Sequence, residues 1–319
     1  MFWLPCSVYH PKSDMIDYQN IINTIHSDLL KRKNYGEVAS YIPELAMVDA
    51  EKFGVCLTTV DGETYHAGAW QDQFSIQSII KVLMLSMAYT KLGGQLWQRV
   101  GVEPSGTPFN SLGTLEYDDG IPRNPFSNAG ALVVSDVLID LYEDPRQALL
   151  DMLKTVTGHD SIKFDPVIAA SEKAEGFRNV ALVNFLKSLG NIHNKVDEVF
   201  DLYLDCCSIS MNCEQLAKAM IIFANHGQSL DGITKLLNSS QTKRMNAIML
   251  TCGFYDEAGD FAYQVGLPGK SGVGGGIVAV LPQQFSIAVW SPRLNEKGNS
   301  YRGLKFLERF TTDTQMSIF

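Results

Sequence analysis

Phe74-Ser75-Ile76-Gln77-Ser78-Ile79-Ile80-Lys81 decides the fold once it is set beside Lys270-Ser271-Gly272, near the other end of the chain. A serine followed by a lysine three positions on puts a hydroxyl and an amine on one helical face, one turn apart. Such a pair can activate a weak nucleophile, because a buried lysine can lose its proton and serve as the serine's base. Ser-x-x-Lys alone carries little, since helices are full of it. A second strand with Lys-Ser-Gly, facing the serine across a cleft, turns it into the pattern of a serine acyl-transfer site.

Around this segment the chain alternates between strand and helix signals. Ser75 is expected to cap a helix running from about 78 to 92, whose Ile80, Leu83, Met84, Met87 and Ala88 keep helical spacing. Upstream, two short strands at 53–60 and 63–69 are joined by Asp61-Gly62, a hairpin turn signal. An amphipathic helix is expected at 21–35, after a leader of residues 1–20, and 36–46 reads as irregular. Loops rich in Gly, Pro and Asn fill 101–131. Helical patterns follow at 132–142, 145–156, 180–189, 194–203 and 213–226, the last capped by Asn212. His226, ahead of Gly227, falls at that helix's C-terminal end, a structural position. Strands are expected at 261–267, 276–281 and 285–290, and a closing helix at 301–310.

Strands at both ends of a chain most economically share one antiparallel sheet. The expected class is α/β of the α+β type: a central antiparallel sheet flanked by helices, with an inserted helical subdomain. Residues 21–94 and 251–319 would form the sheet-containing part and 95–250 the insert, making one catalytic domain. The site would lie in the cleft between them.

Composition narrows the function. The 319 residues are 45% hydrophobic and 19% charged, as in an ordinary globular protein, and the net charge of −9 argues against a nucleic-acid partner. No segment approaches the roughly 18 uninterrupted apolar residues of a membrane span. Leu4-Pro5-Cys6 has a lipobox flavour, but no basic and apolar regions precede it. Cys6, Cys56, Cys206, Cys207, Cys213 and Cys252 include no Cys-x-x-Cys pair and suggest no zinc site. Reduced, buried thiols in a cytoplasmic protein are expected. Gly269-Lys270-Ser271 imitates the end of a nucleotide-binding loop, but the first glycine of that pattern would fall on Gln264.

Several longer blocks carry a resemblance. They are Ser40-Tyr41-Ile42-Pro43-Glu44-Leu45, the Phe74–Lys81 segment, Pro122-Arg123-Asn124-Pro125-Phe126-Ser127-Asn128, and Ser171-Glu172 with Arg178-Asn179. Further on come Tyr203 ahead of Cys207-Ser208-Ile209, Met249 to Tyr255-Asp256, and Gly266 to Gly276. With these blocks the chain, from roughly Tyr41 to Leu304, resembles the bacterial serine-dependent glutaminases of β-lactamase/transpeptidase-like fold.

The resemblance implies hydrolysis of L-glutamine to L-glutamate and ammonia through a γ-glutamyl ester on Ser78, with Lys81 as general base. It implies that Tyr255 touches the reacting centre and relays a proton. The backbone N–H groups of Ser78 and Val273 would form the oxyanion hole, with glycines either side of Val273 allowing close approach. Glu172 would pair with the substrate's ammonium. Asn128, Asn179 and Tyr203 would bond its carboxylate and amide, and Tyr41 would close the pocket. Lys270 is the expected source of positive charge that lowers the pKa of Lys81. No metal or organic cofactor is expected, and a homodimer or homotetramer is.

Other readings stand beside this one. A β-lactamase or penicillin-binding acyl transferase shares the Ser/Lys logic, but Ser127-Asn128-Ala129 replaces the usual Ser-Asp-Asn. A catalytically inactive glutamine-binding protein would not need every polar group that this chain keeps. An asparaginase would differ only in pocket length.

Overall fold

The computed structural model describes residues 16–105 and 113–319. Most of the 1–20 leader, Cys6 and part of the 101–131 loop lie outside the described residues.

The N-terminal part runs α1 (Tyr18–Leu30), β1 (Glu37–Val38), α2 (Pro43–Ala46), β2 (Gly54–Thr59), β3 (Thr64–Gly68) and β4 (Phe74–Ser75). A 3₁₀ turn at Gln77–Ile79 leads into α3 (Ile80–Leu92). The helical part follows as α4 (Gly113–Tyr117), α5 (Asn128–Leu141), α6 (Pro145–Thr157), α7 (Pro166–Glu175), α8 (Phe177–Ser188) and α9 (Val196–Cys207). Then come β5 (Ser210–Met211), α10 (Cys213–Ala224), α11 (Ser239–Cys252) and, after a 3₁₀ turn at Tyr255–Glu257, α12 (Ala258–Gln264). The chain closes with β6 (Gly269–Ser271), β7 (Gly276–Leu281), β8 (Phe285–Trp290), β9 (Arg293–Leu294) and α13 (Tyr301–Thr314).

The two ends of the chain do share one sheet. Its order is β3-β2-β8-β7-β6, with every neighbouring pair antiparallel. β7 and β8 are buried throughout, so both faces must be apolar, and Gly276–Leu281 and Phe285–Trp290 accordingly run with few polar residues. The two-residue period sorts their side chains. Val55, Leu57, Ile277, Ala279, Ile287 and Val289 pack with Ile22 and Ile25 of α1 and with Phe306 and Phe310 of α13. Cys56, Val278, Val280, Ala288 and Trp290 join a larger core that includes Leu216, Met220 and Phe223 of α10. Thus α10 packs on the sheet although it falls within 95–250. α3, buried almost all round, runs through this larger core. Among the described residues no helix is long and apolar enough to cross a membrane.

Several local expectations are corrected. The segment 261–267 is largely helical, not a strand. Phe261 and Val265 are buried four apart while Tyr263, which suggested alternation, is 89% exposed. Ser75 does not cap α3; it pairs with Ser210 in the β4–β5 ladder. α5 begins at Asn128, inside the expected loop, because Ser127 caps it by accepting from the Gly130 N–H. α7 and α11 are not among the helices expected from periodicity. Their start signals were present: Asp165 ahead of Pro166, and a capping box of Asn238 with Gln241.

Gly253, at the end of α11, joins the helical part to the sheet edge. Its carbonyl accepts from the Ser271 N–H at 3.1 Å, and a Cβ there would stand 1.8 Å from the Gly269 carbonyl oxygen. Gly259 in α12 has open space around it. Gly253→Ala is therefore expected to lower the melting temperature, by about 1–3 kcal/mol of stability. Gly259→Ala should raise it slightly, since only backbone entropy changes. Thermal unfolding of the two variants side by side checks the contrast.

Candidate active site

A cavity of about 220 Å³ opens between the sheet and the helical part, lined by the 3₁₀ turn carrying Ser78 and by α5, α7, α8 and α9. Tyr41, Ser78, Asn128, Glu172, Asn179, Tyr203, Tyr255 and Val273 all line it. Lys81 and Lys270 do not form its wall; they lie buried, 1% and 0% exposed.

Local structure explains each placement. Ser78 follows Gln77, which has a left-handed φ of +50° at the start of the 3₁₀ turn. The Gln77 amide donates to Ser75 Oγ at 3.1 Å and also hydrogen-bonds Glu172. The segment 272–275 presses against this turn. A Cβ at Gly272 would come within 2.4 Å of the Ile76 carbonyl oxygen, and one at Gly274 within 2.1 Å of that of Ser75. Only glycine permits that approach, and it brings Val273 to the cavity beside Ser78.

Asn128 is set by a turn in which Asn124 Oδ1 accepts from the Phe126 and Ser127 N–H groups. Glu172 sits in the last turn of α7 and Asn179 in the first turn of α8, with Gly176 between them. Tyr41 is carried by a small apolar cluster of Ile42, Leu45 and Ile168, against which Val273 packs. Its ring is half-exposed, yet its hydroxyl turns inward and donates to Glu172 Oε1 at 2.7 Å.

Burial governs the electrostatics of Lys81, Glu172 and Lys270. Lys81 Nζ donates to Asn128 Oδ1 at 2.7 Å and to the Phe126 carbonyl at 3.2 Å, both neutral acceptors. Burial lowers its pKa to about 8, against an opposing pull from Cys207 and Glu172. Lys270 donates to the Ser271 carbonyl, and its Nζ stands 4.6 Å from the centre of the Tyr255 ring. Burial first and Lys81 second hold Lys270 far below the usual lysine range. Burial is the chief cause of the low pKa of Lys81 as well. Burial raises the pKa of Glu172, opposed by its hydrogen bonds to Tyr41 and Gln77. Burial likewise pushes the Tyr255 phenol up to about 12, while hydrogen bonds with Ser78 and Ser271 pull it down.

Gln77, Glu175, Gly176, Arg178, Leu204 and Cys207 also line the cavity and were not singled out as site residues. A signal existed for Cys207, which falls four residues after Tyr203 on α9 and so shares its face. Cys56, Cys206, Cys207, Cys213 and Cys252 are all free and buried. Among the described residues the one grouping spaced to hold a metal ion is Asp136, Asp140 and His193. None of the three lines the cavity, and Asp136 already accepts from Arg99 at 2.6 Å and from the His193 and Asn194 N–H groups.

Comparison with known proteins agrees over most of the chain. The profile of the Glutaminase family matches residues 36–319. The glutaminase of Christiangramia forsetii is 55% identical over 304 residues, covering 95% of this chain and 100% of its own. That of Saccharophagus degradans is 54% identical over 306 residues, covering 96% and 100%. Among solved structures, the probable glutaminase ybaS superposes with a TM-score of 0.89 at 33% identity, covering 94% of this chain and 97% of the other. The probable glutaminase of Bacillus subtilis gives 0.84 at 30% identity, covering 94% and 96%. The fold is β-lactamase-like, as the resemblance implied. Matched over residues 36–319, and sharing more than half its residues with full-length relatives, this chain belongs to the glutaminase family.

Proposed function

We propose that this glutaminase hydrolyses the side-chain amide of L-glutamine by serine acyl transfer, with Ser78 as nucleophile and Lys81 as base. The observation that carries the reading is a lysine amine, buried beside the serine turn, with neutral oxygens as its acceptors and a pKa near 8. Such an amine has a lone pair available near neutral pH.

In the first step Ser78 Oγ bonds to the amide carbon, and its proton passes to Lys81 Nζ. The carbonyl oxygen becomes an oxyanion, met by the N–H groups of Ser78 and Val273. The C–N bond then breaks, and the leaving nitrogen takes a proton through the Tyr255 hydroxyl to depart as ammonia. Water attacks the γ-glutamyl ester with the same groups reversed, releasing glutamate and restoring the Ser78 hydroxyl. Lys270, with Nζ 4.6 Å from the centre of the Tyr255 ring, supports the site from the far side of that ring. The buried Glu172 carboxylate pairs with the substrate's ammonium, and Asn128, Asn179 and Tyr203 bond its carboxylate and amide. Tyr41, bonded to Glu172, closes the pocket. The buried free thiols support a cytoplasmic setting. Exposed Val167, Phe177 and Val180 on α7 and α8 support a homodimer or homotetramer.

Ser78→Ala should cut ammonia release by about 10³-fold or more while leaving the fold intact. Rapid acid quench of the native enzyme with glutamine should give a Ser78 peptide heavier by one glutamyl group. Activity that survives in Ser78→Ala would sink the nucleophile assignment.

A base must be deprotonated, so kcat/KM should rise about tenfold per pH unit below the Lys81 pKa of about 8 and level off above it. Lys81→Arg should lose this activity at every accessible pH, because a guanidinium keeps its proton. A pH–rate profile without that limb would exclude Lys81 as the base.

Glu172→Gln should raise KM for glutamine, with kcat/KM down by about 10²-fold or more, because the ammonium loses its buried counter-charge. In the native enzyme KM should climb as pH falls through the raised Glu172 pKa, since only the ionised carboxyl attracts the ammonium. Steady-state kinetics across pH measure both effects.

A further inference from the structure

Tyr255 occupies a backbone conformation that tyrosine seldom adopts, with φ at +51°. Something beyond local preference must hold it there. Two asparagines from the turn between β9 and α13 converge on the residues either side of it. Asn299, 0% exposed, donates through Nδ2 both to Glu257 Oε2 and to the Phe254 carbonyl oxygen at 3.5 Å. Asn295 Nδ2 donates to both Glu257 oxygens, at 3.0 and 2.9 Å. Glu257 thus collects three N–H···O contacts from one turn, and its own N–H returns to Phe254 O at 2.8 Å.

The turn is itself stiff. Asn295 Oδ1 accepts from the Lys297 and Asn299 N–H groups, both at 3.0 Å, and Asn295 N–H donates to Asn299 O at 2.8 Å. A Cβ at Gly298 would lie 3.8 Å from Tyr255 Cε2 and 3.9 Å from Val273 Cγ1, so the turn runs close by the Tyr255 ring as well. On the Lys270 side, Nζ stands 4.6 Å from the ring centre. The Glu257 carboxylate also settles the orientation of the Asn299 amide, because its nitrogen, not its oxygen, must face the carboxylate.

We propose that Glu257, held by Asn295 and Asn299, is a positioning residue that fixes the Tyr255 hydroxyl at the reacting centre. The inference rests on the reading of Tyr255 as the proton carrier. None of the three clamp residues lines the cavity, so none is placed to touch glutamine. Their effect is exerted through the placement of Tyr255.

A double-mutant cycle on the full chain tests this, with ammonia release from glutamine as the assay. Glu257→Ala should lower kcat by about 10- to 100-fold, the usual cost of a misplaced catalytic group, with KM little changed. Glu257→Gln keeps one acceptor oxygen and should recover most of that loss. In a Tyr255→Phe background, already slow, Glu257→Ala should cost little more. Should Glu257→Ala fail to fold, the same cycle with Glu257→Gln decides, its smaller loss again vanishing beside Tyr255→Phe. Losses that multiply in full would overturn the clamp while leaving the role of Tyr255 intact. A change confined to KM would overturn it too. A Tyr255→Phe enzyme as fast as the native one would remove both the relay and the clamp.

Discussion

A lysine amine kept out of water sets the conditions for everything around it. Lys81 Nζ must find acceptors, and a carboxylate would pin it in the charged form. Its acceptors are instead Asn128 Oδ1 and the Phe126 carbonyl. That choice propagates. With Oδ1 committed to the lysine, Asn128 Nδ2 faces the other way and donates to Asn179 Oδ1 at 2.9 Å. One chain of hydrogen bonds thus runs from α3 through α5 to α8. Because the lysine donates to Asn128, the oxygen of that amide must face it, and this orients the Asn128 and Asn179 amides in turn. The polar wall of the cavity and its base belong to one network.

Two strained residues stand at the same place. Gln77 and Tyr255 both have φ near +50° without being glycine, a cost of about 1–2 kcal/mol each. Both stand in 3₁₀ turns at the cavity. Gln77 aims the following serine, and its own amide braces Ser75 and Glu172. The surrounding core is large enough to hold such geometry, since α3 is buried almost all round and β7 and β8 are buried throughout. A rigid scaffold with two strained turns facing each other is suited to fixing a nucleophile against a proton carrier.

How much could be read in advance depended on the range of the signal. The β2–β3 hairpin, the β7 and β8 strands and α10 with its Asn212 cap were legible, because each is specified by neighbours within a few residues. The 261–267 segment misled because Phe, Tyr and Val at alternate positions imitate a strand; burial of Phe261 and Val265 against the sheet makes it helix. Ser75 looked like a cap in isolation but was claimed by a ladder partner 135 residues away. Gln77 gave no signal at all, since a left-handed φ at a glutamine is imposed by its surroundings rather than by its type.

The sequence by itself determined the class of fold and the chemistry available: strands at both ends, a serine one turn before a lysine, and a second lysine in a glycine-rich segment. Periodicity and turn residues act over a handful of positions, so they survive without the rest of the molecule. Only the tertiary structure decided which groups are dry and which face one another. It buried both lysines, gave Lys81 neutral partners, pressed Gly272 and Gly274 onto the serine turn, and set the Glu257–Asn299 contact behind Tyr255. Protonation state depends on burial and on neighbours far away in sequence, and no local pattern encodes either.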